Sequence, residues 1–400
     1  MSWPAAAGER RGPLAGVRVL DLSRILAGPF STQIMADLGA DVIKVERPGA
    51  GDETRRWGPP FAASGAAAYF YACNRGRRSI ALDLRTPEDR AIVLDLAAAA
   101  DVLLENFLPG TMERLGLGDE VLSARNERLV HGVISGYGHD SSRAAWPLLD
   151  FVAQAHAGIL SVTGPDPQTN TKAGVPIADL SAGLFCAMGI LVALLERETS
   201  GRGQHIETSL LQAQIFMLDF QAARWLMRGE VPPQAGNNHP TSIPTGVFRT
   251  RDGHINIAAA GHHIWERLAR ELGAEEWLAD PRFATGAARS ENRNILQIEI
   301  DARTEQDDSA TWIERLNAAG VPCGPINSID QTFAEPQVQH LGIAQELDGI
   351  RYVGQPVVLA RTPGTIVSHP PERGQHTAEI LHGLGLSTEE IDQLRERKII

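Results

Sequence analysis

GVRVLDLSRILAGPFSTQIMADLGADVIKVE (residues 16–46) places an amphipathic segment between two short apolar ones. Residues 16–22 and 41–46 are rich in valine, isoleucine and leucine, and each has the length of a buried strand. Residues 28–40 between them predict a helix, which Gly39 ends. Strand, helix and strand in this order are typical of a parallel β-α-β unit.

The same alternation continues along the chain. Strands are predicted at 79–84, 101–107, 129–135 and 205–208, and a long helix is predicted to end near Arg228. Thr86, Pro87 and Glu88 open one helix, and the acidic pair after Ser387 gives the last helix a capping box. This pattern predicts an α/β fold with a doubly wound parallel sheet.

A change of composition marks a domain boundary. Residues 229–244 (GEVPPQAGNNHPTSIP) are rich in proline, glycine and asparagine, which favour loops. We therefore expect a large domain whose first part is 1–228, a small domain at 229–325, and a return segment at 326–400 that completes the large domain.

Charge and cysteine content limit the function classes. The 400 residues carry a formal net charge of −12, which argues against nucleic-acid or anionic-membrane partners. Three widely spaced cysteines fit neither a disulfide framework nor a cysteine metal site. The first residues lack an apolar signal region, and the apolar run 180–195 is shorter than the ~20 residues of a membrane span. A cytoplasmic protein is predicted.

Several common motifs are absent from the sequence. The turn DLSRILAGPFS after the first strand lacks G-x-G-x-x-G, so we expect no nicotinamide cofactor. The twelve histidines include the neighbours His262 and His263 but no H-E-x-x-H pattern, so we expect no metal. A G-x-S-x-G nucleophile motif is also missing.

Basic residues gather near predicted strand ends, where ligands of open α/β sheets bind. Such arginines are either ordinary solvated surface or anchors for the phosphates of an anionic cofactor. They are Arg47, Arg75, Arg77, Arg78, Arg85 and Arg114.

Asp179 is a lone carboxylate at the start of a long apolar segment. Aspartate in this place is a favoured helix cap, worth about 1 kcal/mol. A carboxylate beside apolar walls can also be a nucleophile toward an activated carbonyl. Spacing alone does not separate the two interpretations.

Several stretches together resemble the family III CoA-transferases, the group of formyl-CoA and carnitine CoA-transferases, with the α-methylacyl-CoA racemases as relatives. The stretches are 14–61, NRGRRSIALDLRTPE (74–88), ADVLLENFLPGTMERLGLG (100–118), AGVPIADLSAG (173–183), ERETSGRGQHIETSLL (196–211), GVPCGPINS (320–328) and RGQHTAEIL (373–381).

The resemblance implies a Rossmann-like, CoA-binding large domain, a smaller α+β domain and an interlocked homodimer. It implies an enzyme that moves CoA from an acyl-CoA to a carboxylic acid without a metal or a nicotinamide. The family's catalytic aspartate matches Asp179 in PIADLSAG. Matching positions for the CoA site are Ile25, Ala27, Arg47, Leu82, Arg85, Asn106, Phe107 and Arg114, with Tyr137 near the thioester.

Two positions distinguish the branches that the sequence resembles. Leu149 stands where racemases have a histidine, and an aliphatic side chain cannot move a proton. Leu26 stands where formyl-CoA transferases have a glutamine. WGPPF, TFAEPQVQHLG and GNNHPTSIP instead look like the succinyl-CoA:dicarboxylate branch, such as the glutarate enzymes.

A dicarboxylate acceptor needs a cation or N–H donor for its distal carboxylate. Arg77, His239 and Ser242 are candidates for that role, and Leu26 is a further substrate contact. A 2-methylacyl-CoA racemase or epimerase and a non-catalytic CoA-binding protein are the alternatives.

Overall fold

The computed structural model describes residues 2–6, 8, 10–166, 168–397 and 400. The strands are β1 Arg18–Asp21, β2 Asp41–Glu46, β3 Arg78–Ala81, β4 Val102–Glu105, β5 Val130–Ser135, β6 His205–Ser209, β7 Thr245–Arg249, β8 His254–Ala258, β9 Cys323–Pro325, β10 Ala344–Leu347 and β11 Ile350–Val353.

The helices are α1 Ala27–Asp37, α2 Ala68–Cys73, α3 Pro87–Ala99, α4 Thr111–Arg114, α5 Asp119–Arg125, α6 Asp150–His156, α7 Ile159–Val162, α8 Ile177–Ser200, α9 Leu210–Phe216, α10 Phe220–Arg228, α11 His262–Glu271, α12 Gly286–Glu291, α13 Arg293–Thr304, α14 Ser309–Ala318, α15 Ile329–Ala334, α16 Pro336–Leu341, α17 Thr377–Gly383 and α18 Thr388–Glu396. Short 3₁₀ turns lie at Glu53–Arg56 and Glu275–Leu278.

Six parallel strands form the central sheet in the order β3-β2-β1-β4-β5-β6. β2 and β3 lie on one side of β1, and β4, β5 and β6 lie on its other side. This is the order of a Rossmann-like sheet, and its switch point lies between β1 and β4. The predicted α/β, doubly wound fold is confirmed.

Alternate residues of the strands pack on opposite faces of this sheet. Leu20 and Ile43 belong to the core formed with α3, α17 and α18. Val19 and Val42 belong to the core formed with α1 and α8. Both faces are therefore covered, which explains why the strands are continuous apolar runs rather than alternating ones.

The chain folds as two compact units. The first consists of Met1–Ala157, Gly174–Asp219 and Gln339–Ile400, and the second of Gly158–Ala173 and Phe220–Val338. In the first unit the C-terminal segment returns to the sheet, where the His376 N–H donates to the Ser79 carbonyl oxygen at 2.9 Å. The domain boundaries predicted at 228 and 325 stay a prediction.

The second unit is the smaller α+β one. β7, β8 and β9 form an antiparallel sheet. Its core contains Phe248, Ile255 and Ile257 from the strands, with Trp265 and Trp312 from α11 and α14. Strands and helices thus share one core in this unit.

Two helices differ from the sequence-based expectation. The long helix predicted to end near Arg228 is interrupted, because Asp219 adopts a left-handed φ of 48° between α9 and α10. The helix after Asp179 has 24 residues, longer than its apolar run. By length and composition α8 could cross a membrane, and half of its most apolar window is buried inside the protein.

Candidate active site

Asp179 is the third residue of α8, so it does not cap the helix. Pro176 is the N-cap residue and makes no side-chain capping bond. The first free N–H groups of α8 are satisfied from elsewhere: Asp150 Oδ1 accepts from the N–H of Ala178 at 2.8 Å and of Asp179 at 3.3 Å. The capping interpretation of Asp179 is therefore wrong, and Asp150 has that role.

Asp150 is itself fixed by its surroundings. It is the first residue of α6, and its Oδ2 accepts a 2.7 Å hydrogen bond from Gln154 Nε2 one turn later. Gln154 is fully buried. Both carboxylate oxygens of Asp150 are thus engaged, which holds the first turn of α8 and keeps a negative charge beside Asp179.

The carboxyl group of Asp179 is partly buried and hard to ionise. Burial and, to a smaller extent, the charge of Asp150 together raise its pKa to about 7. Burial, together with a smaller effect of the Asp179 charge, raises the pKa of Tyr69 to about 12. Tyr69, on α2, is therefore a neighbour of the carboxylate, and no sequence motif pointed to it.

A close helix contact brings the loop before α1 to Asp179. A Cβ at Gly183 would lie 2.6 Å from the carbonyl oxygen of Ala27, so only glycine allows α8 to pack this closely on the start of α1. Residues four apart share a helix face. Asp179 therefore lies on the α8 face that meets α1. It is one helical turn before Gly183, on the side of the loop that contains Ile25 and Leu26.

Buried polar groups hold that loop in place. Lys44 Nζ donates to the Ser23 carbonyl oxygen at 2.8 Å and forms a 3.1 Å ion pair with Asp52, both side chains being almost fully buried. Asp52 Oδ2 also accepts from the N–H of Ile25 at 3.3 Å. Ile25 keeps a left-handed φ of 70°, a strained conformation that these bonds fix.

A cleft opens at the carboxyl ends of β1, β2, β3 and β4. Its volume is ≈ 230 Å³, and its walls are mainly apolar. It lies beside the switch point of the sheet, where open α/β folds bind their ligands. The lining residues include four predicted for the CoA site, namely Arg47, Leu82, Arg85 and Phe107, together with Leu22, Arg24, Val45 and Leu115.

Two further predicted CoA-site residues, Asn106 and Arg114, are each next in sequence to a residue that lines this cleft. Asn106 precedes Phe107, and its amide exchanges two 2.8 Å hydrogen bonds with the N–H and carbonyl of Arg24. Arg114 ends α4 immediately before Leu115. Arg47, Arg85 and Arg114 are all exposed. The two exposed guanidinium groups at this apolar cleft, those of Arg47 and Arg85, suit a ligand with an apolar body and phosphates.

Arg77 does not have the position predicted for a substrate ligand. Its side chain is fully buried and pairs with buried Asp21 at 2.8 Å. Its NH2 also donates to the carbonyl oxygens of Pro29 and Cys73, each at 2.9 Å. The substrate role assigned to Arg77 is corrected to a structural one, since the guanidinium has no exposed surface to offer a ligand.

The family model described as CoA-transferase family III matches residues 14–377. The chain belongs to CoA-transferase family III. A succinate–glutarate CoA-transferase from Agrobacterium fabrum is 38% identical over 93% of this chain and 96% of its own length. The succinyl-CoA:glutarate CoA-transferase of Mus musculus is 37% identical over 92% of this chain and 86% of its own.

A solved structure agrees with the sequence matches. A CaiB/BaiF family protein from Brucella suis superposes with a TM-score of 0.85 at 39% identity, covering 94% of this chain and all of that one. The family, the fold and the enzyme class predicted from the sequence are confirmed, and this chain is a CoA-transferase.

Tyr137 of this CoA-transferase lies after β5 and contacts α6, the helix that begins with Asp150. Its hydroxyl lies 3.2 Å from His156 Nδ1, and its ring meets Trp146 edge-on at 6.3 Å. Arg143 NH1 lies 2.8 Å from the other nitrogen of His156. His156 is a neighbour of the predicted thioester residue that the sequence did not reveal.

His239 and Ser242 lie in the second unit. His239 Nδ1 accepts from the backbone N–H of Ser242 at 2.9 Å, and its ring stacks on Phe220. This bond fixes the tautomer, because Nδ1 accepts and Nε2 must then carry the proton of a neutral ring. Their contact with an acceptor stays a prediction.

Asp150→Asn should shift the pH profile of transfer to lower pH. Asparagine still offers an oxygen to the N–H groups of Ala178 and Asp179, but it removes the charge that raises the pKa of Asp179. If the Asp179 carboxylate is the reactive form, activity falls as the pH drops through about 7, and the variant moves that fall to more acidic pH. The measurement is kcat/KM against pH. An unchanged acidic limb would contradict the electrostatic role of Asp150.

Proposed function

We propose that this CoA-transferase moves CoA from succinyl-CoA, or a similar acyl-CoA, to a dicarboxylic acid, with Asp179 as the nucleophile. The observation that carries the proposal is the position of Asp179, a partly buried carboxylate with a raised pKa beside the loop at the start of α1. The names of the Agrobacterium and mouse relatives support succinyl-CoA as the CoA donor and glutarate as an acceptor.

Transfer would proceed in four substitutions at carbonyl carbon. Asp179 attacks the donor thioester, giving a mixed anhydride and CoA thiolate. The thiolate attacks the Asp179 carbonyl, so that the donor acid leaves and an aspartyl-CoA thioester forms. The acceptor carboxylate attacks this thioester and releases the thiolate again. That attack leaves a second anhydride, between Asp179 and the acceptor. The thiolate then attacks the acceptor-derived carbonyl carbon of this anhydride, which gives the new acyl-CoA and restores the Asp179 carboxylate.

The surroundings of Asp179 suit this chemistry. Partial burial limits attack by water on the anhydrides. A pKa of about 7 makes the carboxylate more basic, and so more nucleophilic, than an exposed aspartate, while leaving a large share ionised at neutral pH. The first N–H groups of α1, at Ala27 and Gly28, have no partner inside their own helix and would stabilise the oxyanion.

Ile25, Ala27, Arg47, Leu82, Arg85, Asn106, Phe107 and Arg114 would hold the CoA moiety, and Tyr137 would lie near its thioester. What supports this is the apolar cleft with Arg47 and Arg85 at its edge. The cleft would take the adenine part, and the arginines the phosphates.

Arg85→Ala should raise the KM for acyl-CoA about tenfold and leave kcat nearly unchanged, because a phosphate contact binds substrate and transition state alike. The side chain is 82% exposed, so its removal leaves the fold intact. Steady-state kinetics with CoA and with 3′-dephospho-CoA esters measure the effect. A fall in kcat at constant KM would contradict a binding role.

His239 and Ser242 are the proposed partners of the acceptor's distal carboxylate, and Leu26 is a further substrate contact. His239→Ala should raise the KM for glutarate but not for succinyl-CoA. A variant with both constants unchanged would remove His239 from the acceptor site. The buried position of Arg77 excludes it from this set.

The function is tested by rates with succinyl-CoA and a panel of acids of increasing length, including glutarate and monocarboxylates. We expect transfer to dicarboxylates and ping-pong kinetics, since the enzyme carries CoA between two half-reactions. Solvent deuterium should not enter the α-position of a 2-methylacyl-CoA, because Leu149 has no proton-transfer group. Deuterium uptake without CoA transfer would favour the racemase.

We also propose a cytoplasmic homodimer. Leu184, Met188, Val192 and Leu195 are each more than half exposed and recur along one face of α8. A second copy would cover this apolar face, as the resemblance to interlocked dimers implies. Light scattering after size-exclusion chromatography tests this, and a monomer at micromolar concentration would contradict it.

A further inference from the structure

Three metal-ligating side chains meet at the end of the sheet opposite the CoA cleft. Asp119 begins α5, His131 is the second residue of β5 and His205 is the first residue of β6. The register pairs His131 directly with His205. Their ligand atoms and a carboxylate oxygen of Asp119 all lie within 4.8 Å of one another.

The two imidazole rings turn the same nitrogen toward one carboxylate. His131 Nδ1 lies 2.6 Å from Asp119 Oδ1, and His205 Nδ1 lies 2.8 Å from Asp119 Oδ2. The rings are nearly perpendicular, at 84° with centroids 5.1 Å apart.

The cluster combines a rigid ligand with an open approach. His131 is 5% exposed, and its Nε2 is buried without a hydrogen-bond partner in the described part of the chain. Among the described residues, the only polar contact of that ring is therefore the one toward Asp119. The side chains of Asp119 and His205 are 51% and 34% exposed and border a surface cleft of ≈ 600 Å³.

We propose that Asp119, His131 and His205 bind a divalent transition-metal ion, with Zn²⁺ the best match. Two imidazole nitrogens and a carboxylate oxygen are a common Zn²⁺ ligand set, and water would complete a tetrahedron. With metal–ligand bonds of about 2.1 Å, ligand atoms of a tetrahedral site are about 3.4 Å apart. The exposed Asp119 side chain would move back by roughly 0.7 Å, and each neutral imidazole would carry its one proton on Nε2, so that the Nδ1 lone pair binds the ion.

The bound ion would be structural. It would tie the first turn of α5 to the amino ends of β5 and β6, the edge strand of the sheet. The ligands come from sequence positions 119, 131 and 205, so the ion would link α5 to two strands that already pair with each other through their backbones. The proposal does not depend on the acyl donor or acceptor of the enzyme.

The test uses full-length protein without a histidine tag, stripped with a chelator and titrated with Co²⁺ and then Zn²⁺. We expect saturable binding of a single Co²⁺ per chain, visible d–d absorption bands of a four-coordinate site, and their loss when Zn²⁺ is added. The thermal unfolding midpoint should rise with metal concentration, because the ion binds the folded chain.

Matched variants locate the site. His205→Gln and Asp119→Asn, which keep hydrogen-bonding groups, should each weaken Co²⁺ binding at least about tenfold. His262→Gln should have no effect, because His262 is an exposed histidine paired with a single carboxylate, Glu266. Lack of saturable Co²⁺ binding by the wild-type protein would overturn the proposal, as would unchanged binding by correctly folded His205→Gln. The cluster would then be a carboxylate hydrogen-bonded between two imidazoles.

Discussion

Asp179→Asn should lower kcat for transfer from succinyl-CoA to glutarate by on the order of 10⁴-fold or more, because a carboxamide cannot form the anhydride or the aspartyl-CoA thioester. The loss should be in kcat rather than in the KM for acyl-CoA, since the cleft with Arg47 and Arg85 is untouched. The measurement is product formation followed by liquid chromatography.

The variant should fold normally, and this is the control. Asp150, not Asp179, satisfies the first N–H groups of α8, and asparagine has nearly the same shape as aspartate. Removing the partly buried acid also removes its repulsion with Asp150, so thermal stability at pH 8 should be equal or higher. A fully active Asp179→Asn protein would exclude Asp179 as the nucleophile.

Arg77→Met should destabilise the first unit by about 3–5 kcal/mol, because Asp21 is left as an uncompensated charge in the core. Both side chains of the pair are completely buried. The expected result is a large fall in the thermal midpoint measured by calorimetry, with the acceptor KM of the protein that remains folded unchanged. That pattern distinguishes a structural arginine from a substrate ligand.

Arg85→Met is the matched control for this variant. Arg85 is eight residues further along the same stretch, but its side chain is exposed and its carboxylate partner, Asp83, is a local one. Its loss should change stability by less than about 0.5 kcal/mol. If Arg77→Met were as stable as Arg85→Met and instead raised the acceptor KM, the structural assignment of Arg77 would be wrong.

The fold could be predicted because its signals are local. Residues 16–46 contain their own strand, helix and strand, and the apolar runs of the strands follow from burial on both sheet faces. The break between α9 and α10 could not be predicted. It depends on a left-handed Asp219, and neither glycine nor proline marks the position.

The site was predictable only in part, because burial and long-range pairing decide which residues are available. Arg77 and Arg85 lie in one basic stretch, and only the fold shows that Asp21, 56 residues away, takes Arg77 into the core. Asp150 caps α8 from another helix, so no local pattern connects it with Asp179. The expectation of no metal rested on the lack of an H-E-x-x-H pattern, which is a local signal, whereas strand register brings His131 and His205 together from distant parts of the sequence.

The central claim is that Asp179 carries the CoA group, and peptide mass spectrometry after incubation with succinyl-CoA tests it most directly. Borohydride would reduce an aspartyl-CoA thioester to an alcohol, and hydroxylamine would convert it to a hydroxamate. We expect a modification confined to the peptide that contains Asp179 and absent from Asp179→Asn. An unmodified Asp179 peptide in an enzyme that is transferring CoA at full rate would contradict it.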